Sequence, residues 1–557
     1  MHRELKRLAD GRFDLLVIGG GITGAFLALD SVLRGLSVAL VDKSDFGAYT
    51  SSASSKLLHG GIRYLPKGQF WKVRESHRET AIFQHIAPHM TRWIPFLVPT
   101  ESGSLMKGRA AMKAAMTLYG LCSAGLDRLI DDPGKKAPER TFLPAGQARA
   151  VCPLLTSRQG LTGAQVLWES HMFNSERMTL AVIKSAVHRG AEVANYLEVK
   201  ELLIHRGQVI GARVTDRLGG DGFDIQARVT INAAGPHVQA INDSVPELRL
   251  ERRLTGFSKG VHLITRQVEP EYALAMTTAK KTEGFVSRGG RHFFIIPWRG
   301  CSLIGTTNVP FTDHLDRVRV NETDITEFLA DINTALPEVH LTREDVRYAF
   351  CGIYPLIARD IRTDTYQGTG EYQIIDHERA NGIKGIITAL GAKYTTARHV
   401  AERSLDLAMR KLAQQGPPCL TGKTRLLEGD INDIQAFRGQ CHQAYARELS
   451  PQVLDAMIAN HGAAVHELVA EGHRLDLLQP TATDREVLDI EIRHAVGAEM
   501  AVTLDDLIFR RTGLGTIGHP GSLAVQRCAE LMAGLLNWDE AERQRQIALV
   551  EARYRFA

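Results

Sequence analysis

The 557-residue chain has no run of consecutive apolar residues near the ~20 needed to cross a bilayer, so no spanning helix is expected. Its amino terminus, Met1-His2-Arg3-Glu4-Leu5-Lys6-Arg7, leads into further charge and lacks the apolar stretch of a secretion signal. Cysteine is sparse: seven residues, with no Cys-x-x-Cys pair, exclude a disulfide framework and a zinc knuckle and predict a reducing, cytoplasmic setting. Neither sign of charge dominates. Lys and Arg total 67 against 63 Asp and Glu, a net +4 mixed along the chain, which argues against a nucleic-acid partner. Internal repeats and low-complexity tracts are absent too. What is present, 44% apolar and 23% charged residues with 50 glycines, describes an ordinary globular chain long enough for about three to five domain-sized lobes.

The most informative stretch comes first. Asp14-Leu-Leu-Val-Ile18 reads as a short strand, followed at once by Gly19-Gly20-Gly21-Ile22-Thr23-Gly24 and a helical pattern through Phe26, Leu29 and Leu33. In that context Gly19 allows the tight turn, Gly21 lets the backbone approach a pyrophosphate, and Gly24 lets the helix pack against the strand. The helix amino terminus offers N–H donors and a positive dipole end to the anion. A second strand, Ser37-Val-Ala-Leu-Val41, ends in Asp42, about 20 residues beyond the motif, where a carboxylate can accept ribose hydroxyls. The pattern predicts a dinucleotide site and does not itself choose between NAD and FAD.

The next segment, Thr50-Ser-Ser-Ala-Ser-Ser-Lys-Leu-Leu-His-Gly-Gly-Ile-Arg-Tyr-Leu65, closely resembles the signature of FAD-dependent glycerol-3-phosphate dehydrogenases, within the D-amino-acid-oxidase-like flavoprotein superfamily. The similarity continues through Ala87-Pro88-His89, Lys259-Gly-Val-His262, Ile296-Pro297-Trp298, Ile304-Gly-Thr-Thr307, Gly391-Ala-Lys-Tyr-Thr-Thr396 and Leu504-Asp-Asp-Leu507 with Arg510-Arg511. The resemblance implies an α/β Rossmann-like FAD domain, an antiparallel-sheet (α+β) substrate domain roofing the flavin ring, and a carboxy-terminal helical cap. On that plan residues 1–85, 171–240 and 351–415 bind FAD, 86–170 form an insertion, 241–350 the substrate sheet and 420–557 the helical domain. Pro417-Pro418 marks the last boundary.

The resemblance places Gly19, Gly21, Gly24 and Asp42 at the cofactor, followed by Ser51, Ser52, Ser55, Lys56 and Leu57. Farther along it adds Val199, then Ala234 and Gly235, and finally Gly391, Lys393, Tyr394 and Thr395. The residue types agree, since small hydroxyl side chains can bond a diphosphate without crowding it. Val229-Thr-Ile-Asn-Ala-Ala-Gly-Pro236 is a strand running into small residues, and Gly385-Ile-Ile-Thr-Ala-Leu-Gly391 is another, after which Lys393, Thr395 and Thr396 are expected to open a helix. Its dipole would stabilise negative charge on a reduced flavin.

Oxidising a secondary alcohol at a flavin requires a base for the hydroxyl proton. His59 matches the histidine that the family places beside the flavin, and His262 is the second candidate. Arg63, Tyr64, Lys259 and Lys393 match positions that could hold a phosphorylated substrate. The chain also departs from the family. Tyr354 stands where Gly-Val-Arg-Pro-Leu carries an arginine, Gly370 where a second arginine is usual, and Asn308 where an acid is usual. Arg359 and Arg362 lie close in sequence to the lost cations. The resemblance thus implies glycerol-3-phosphate oxidation with electrons passed to quinone or another acceptor. A relative with shifted specificity, for another polyol phosphate, a hydroxy acid, an amine or an amino acid, is the alternative.

The segment Ser104 to Cys122 mixes Lys107, Arg109 and Lys113 with Met112, Met116, Leu118 and Leu121, a pattern that suits either a membrane-surface helix or a core-facing one. Peripheral attachment to the cytoplasmic face of the inner membrane and a homodimer both stay open. His85 and His89 have metal-ligand spacing, but Pro88 interrupts their helix, and no metal is expected. Thr503 to Asp506 reads as a helix start, with a hydroxyl cap and an acid in the first turn.

Overall fold

The apolar runs that read as strands are buried on both faces of a mainly parallel sheet, which is why they lack alternation. The computed structural model describes residues 1–102, 108–156, 158–248, 256–277, 292–356, 372–482 and 485–556. In the first sheet, Arg12–Ile18 pairs in parallel with Val38–Val41 on one side and Gly222–Asn232 on the other. Ile386–Leu390 extends the parallel order beyond Gly222–Asn232, and Glu192–Ala194 closes the opposite edge. Helices Ile22–Leu33, Ser175–Val187 and Ala397–Leu412 cover one face around Phe26, Val182 and Leu405. The other face is covered by Leu8 and a meander of Leu197–His205 and Gln208–Asp216 that feeds into Gly222–Asn232. A Cβ on Gly24 would lie 1.8 Å from the Gly19 carbonyl oxygen, so only glycine lets the first helix pack this close to the strand end.

The second sheet is largely antiparallel. Gly256–Arg266 is its hub, bordered by Cys301–Gly305 and by a long ladder with Val346–Leu356. The sheet continues through His292–Trp298, Ala273–Thr277, Thr91–Glu101 and Leu161–Met172 to the two-residue strand Leu57–Leu58. It therefore draws on residues well before 241. Helix Glu322–Ala335 seals its back, with Phe293 and Phe328 edge to face at 5.8 Å.

The carboxy-terminal region is helical, and its Leu504, Ile508, Val525 and Val550 share one core with the antiparallel sheet. The helix start at Thr503 is present: the Thr503 hydroxyl accepts from the Asp506 N–H at 3.1 Å, and Asp506 Oδ2 accepts from the Thr503 N–H at 3.0 Å. The helical segment Asp506–Arg511 that follows carries Arg510 and Arg511 to the loop after Val38–Val41. There Asp45, fully buried, accepts from Arg510 Nε at 2.6 Å and from both terminal nitrogens of Arg511 at 2.7 and 2.8 Å. These guanidinium groups hold the Asp45 carboxyl, despite its burial, well below the usual carboxylate range. Its stabilisation is in place above about pH 4, the unfolded value, and is lost as pH falls below it. Asp45→Asn leaves the buried Arg511 without a carboxylate, while Arg510 keeps Asp505 and Asp506, at a cost of about 3–5 kcal/mol, visible as a large drop in Tm at neutral pH. An unchanged midpoint would contradict the clasp.

A second buried network joins the same regions. Glu428, His461, His494 and Glu499 place ligand-type atoms within 4.8 Å of one another. Two cations serve them: Lys184, whose Nζ donates to Glu428 and, at 2.7 Å, to Glu499, and Arg177, which binds Glu499 at 2.6 Å. With two built-in cations the cluster needs no metal to balance its charge. His85 ends the helix Phe70–Ile86 and His89 lies beyond the break at Ala87-Pro88.

Candidate functional site

A cavity of about 510 Å³ opens at the carboxyl ends of the parallel strands, where Gly19, Gly21, Asp42, Ala234, Gly235 and Gly391 line it. The place and the size suit a cofactor, for which sites of about 300–1,000 Å³ are usual. Gly19 has φ +106°, and a Cβ there would meet the Ala233 carbonyl oxygen at 2.7 Å. The Gly20 N–H donates to Asp42 Oδ2 at 2.7 Å and the Ser44 N–H to Oδ1 at 2.8 Å. Burial nevertheless pushes the Asp42 carboxyl up to about 6. Around Gly21, within 4 Å of a built Cβ, only the Ser51 Oγ is met, at 3.1 Å.

The serine-rich loop is fixed hydroxyl by hydroxyl. Ser51 Oγ accepts from the Ile22 N–H at 3.0 Å, which ties the loop to the helix amino terminus. Thr50 donates to the Ile353 carbonyl at 2.7 Å, and Ser52 to the Tyr49 carbonyl at 3.0 Å. Ser51 lines the cavity; Ser52, Ser55, Lys56 and Leu57 do not. Lys56 turns the other way, pairing with Glu176 at 2.6 Å beneath the Trp298 ring, so its ammonium does not serve a cofactor. Leu57 is a buried strand residue. Val199, Lys393 and Tyr394 line the cavity, whereas Thr395 lies behind it and accepts from the His59 N–H at 3.2 Å. The helix after this strand starts at Ala397 with Thr396 as its cap, later than the sequence suggests.

His59 adjoins the Lys393 end of the cavity. Lys393 Nζ lies 4.3 Å from the centre of the Tyr64 ring, in the turn that follows the His59-Gly60-Gly61 loop, and the His59 ring packs against Phe294 at 5.3 Å. Two basic-site expectations fail on partners. Lys259 is ion-paired with Asp324 at 2.6 Å, both side chains nearly inaccessible, and so ties the hub strand to helix Glu322–Ala335; it is not a substrate cation. His262 is buried, stacked on Phe350 at 5.0 Å, and shares a hydrogen bond of 3.1 Å with Ser55. Desolvation and the nearby Lys56 push its imidazole down to about 3, which does not suit a base working near neutrality. Tyr354 lines the cavity, and its hydroxyl donates to Asn308 Oδ1, which also accepts from Ser258. The Arg63 side chain, Gly370, Arg359 and Arg362 lie outside the described residues.

Sequence reasoning missed the far end of the cavity. Tyr49 and His237 line it with their rings 4.8 Å apart, and Asp316 links Lys43 at 2.6 Å to His237 at 3.3 Å. No local motif marks these residues. It also missed Glu169, a buried carboxylate in the strand Leu161–Met172, whose mixture of apolar and polar residues gives no sign that the strand is almost wholly buried.

A glycine-cradled cavity on a parallel sheet, roofed by an antiparallel one, defines a dinucleotide-dependent oxidoreductase. The comparisons specify the group. Residues 14–398 match the family model of FAD-dependent oxidoreductases, and residues 419–543 match the C-terminal domain of alpha-glycerophosphate oxidase. The chain is 31% identical to a glycerol-3-phosphate dehydrogenase of Synechocystis over 98% of its own length and 97% of that protein's. It is 30% identical to the aerobic glycerol-3-phosphate dehydrogenase of Bacillus subtilis, covering 92% and 89% of the two chains. Among solved structures, the glycerol-3-phosphate dehydrogenase of Bacillus halodurans complexed with FAD matches at TM-score 0.75 and 26% identity, over 99% of this chain and 96% of that one. The chain belongs to the FAD-dependent oxidoreductase family, and FAD is its cofactor.

Proposed function

We propose that the protein oxidises sn-glycerol-3-phosphate to dihydroxyacetone phosphate by hydride transfer to FAD and passes the electrons to a quinone or another acceptor. The observation that carries this reading is the junction of the nucleotide cavity with the His59 loop at Lys393. Gly19, Gly21 and the start of helix Ile22–Leu33 would hold the diphosphate, and Asp42 the adenosine ribose. When bound, FAD supplies the hydride acceptor. The His59 imidazole takes the proton of the substrate hydroxyl, and Lys393 and Arg63 supply positive charge toward the phosphate. Phe294 packs against the His59 ring and Tyr64 against the Lys393 ammonium, which orients both groups. Turnover with an artificial quinone should yield dihydroxyacetone phosphate in a one-to-one ratio with reduced acceptor. A protein whose flavin reduces with dithionite but that forms no such product would contradict the reading.

The quinone reading calls for a membrane surface. Among the described residues no helix is long and apolar enough to cross a membrane. Helix Arg109–Ser123 instead buries Met116 and Tyr119 and leaves Leu118 and Leu121 exposed beside Arg109 and Lys113. Trp71 is 61% exposed on the adjoining helix, in one stripe with Arg74 and Arg78, and Arg74 Nη1 donates to the Cys122 carbonyl at 3.2 Å. Apolar tips flanked by cations on two helices suit an interfacial, anionic-lipid contact. Trp71→Glu combined with Leu121→Glu should lower binding to anionic vesicles at least about tenfold, given roughly 1.5–3 kcal/mol for each apolar side chain. FAD content should stay constant. Unchanged vesicle binding would rule this face out.

A further inference from the structure

Beneath the His59 loop lies a buried acid that the proposed chemistry leaves unused. The short strand Leu57–Leu58 pairs with Leu161–Met172 through Leu58 opposite Ser170, and the ladder then stops. Two residues beyond Leu58, the Gly60 N–H donates to a side chain of the neighbouring strand and not to its backbone, reaching Glu169 Oε2 at 2.7 Å. The second oxygen, Oε1, accepts from the Tyr119 hydroxyl at 2.9 Å. Glu169 is 3% exposed and Tyr119 1% exposed. The approach is close enough to specify the backbone: a Cβ on Gly60 would lie 2.0 Å from the Tyr119 hydroxyl oxygen and 2.7 Å from the His77 ring.

Among the described residues no lysine or arginine pairs with Glu169. The groups facing the pair are the Gly60 amide, His77 from helix Phe70–Ile86 with its ring 4.4 Å from Tyr119, and Arg140 with its guanidinium 5.2 Å from that ring. Burial holds His77 neutral, down to about 3, so Arg140 is the cation acting on the site, and at longer range than an ion pair.

We propose that Glu169 and Tyr119 form a positioning pair that fixes the Gly60 amide and thereby sets the place of the His59 side chain beside the flavin. The inference rests on the reading of His59 as the proton acceptor. Its physical basis is an asymmetry. A carboxylate can receive both donors at once, whereas a glutamine or a protonated acid offers one oxygen fewer for that purpose. Burial raises the Glu169 carboxyl to about 7, against the pull of its two hydrogen bonds. As pH falls through 7 the acid gains a proton, the loop loses one acceptor, and the rate of substrate oxidation drops with it. Tyr119 sits on helix Arg109–Ser123, so the seating of that surface helix is felt at the loop.

The test is hydrogen–deuterium exchange of the FAD-loaded protein together with the pH profile of flavin reduction. In Glu169→Gln the amides of residues 59–61 should exchange about tenfold faster or more, as expected for one lost charge-assisted bond. The rate of flavin reduction should fall by about tenfold or more with KM nearly unchanged, and the acid limb near pH 7 should vanish. Tyr119→Phe removes one oxygen only; it takes away a bond that favours the charged form, so the limb should move to higher pH. Unchanged exchange at 59–61 in both variants overturns the proposal whatever the substrate proves to be. Faster exchange with an unaltered rate and pH profile overturns the catalytic consequence. A wild-type flavin that glycerol-3-phosphate does not reduce counts against the proposed substrate, and the exchange result still decides the positioning.

Discussion

Gly21→Val should give a folded, colourless protein. At this position the backbone has φ −74° and ψ 179°, which any residue adopts, so valine brings no conformational strain. Its Cβ meets only the Ser51 Oγ, at 3.1 Å, and its two methyl groups extend into the cavity at the point where the helix amino terminus faces it. The side chain occupies the place of the diphosphate and denies it the N–H donors. Overlap and lost charge-assisted bonds together cost about 4 kcal/mol or more, a thousandfold in FAD affinity. The measurement is flavin absorbance per mole of purified protein beside its circular dichroism. A yellow Gly21→Val protein contradicts the placement of the diphosphate. Gly24→Ala is the contrasting control: a Cβ placed 1.8 Å from the Gly19 carbonyl oxygen should disrupt the fold itself.

His59→Ala should do the opposite, leaving a yellow protein that turns over poorly. His59 does not line the cavity, and its backbone N–H still reaches the Thr395 hydroxyl after truncation. Cofactor retention is therefore expected. What is lost is the proton acceptor, worth about 10²–10⁴-fold in rate. Stopped-flow flavin reduction by glycerol-3-phosphate reads this directly. A colourless protein, or one reduced at the wild-type rate, would remove His59 from the mechanism. His262 offers no substitute, because its buried ring is held near a pKa of 3.

How well these sites could be read from sequence follows the range of the interactions involved. The strand, the glycine turn, the helix and Asp42 lie within a few dozen residues, and each makes its contact locally or with a neighbouring parallel strand. The small residues Ala234, Gly235 and Gly391 came from the family resemblance, and they line the cavity because the sheet brings their strand ends to one edge. Side chains answered by distant partners were not legible. Lys259 reads as a cation for substrate until Asp324, 65 residues on, neutralises it. Lys56 is claimed by Glu176, 120 residues away, and His262 by Ser55, 207 residues earlier. In each case the residue type suggested chemistry and the tertiary partner replaced it with structure. The helix Arg109–Ser123 faces the core through Met116 and Tyr119 and leaves Leu118 and Leu121 exposed. The Arg510-Arg511 pair shows the same effect in a third form. Its partner Asp45 is more than 460 residues distant, and the contact turns a remote helix into a brace for the loop next to Asp42.

The most direct test of the account is the visible spectrum of the purified holoprotein under anaerobic conditions, before and after addition of glycerol-3-phosphate. The account predicts bleaching of the flavin band, with dihydroxyacetone phosphate released and the colour restored by a quinone. A band that stays unchanged in a protein that dithionite reduces would contradict it, and would make Tyr354, hydrogen-bonded to Asn308 at the cavity wall, the mark of a different substrate.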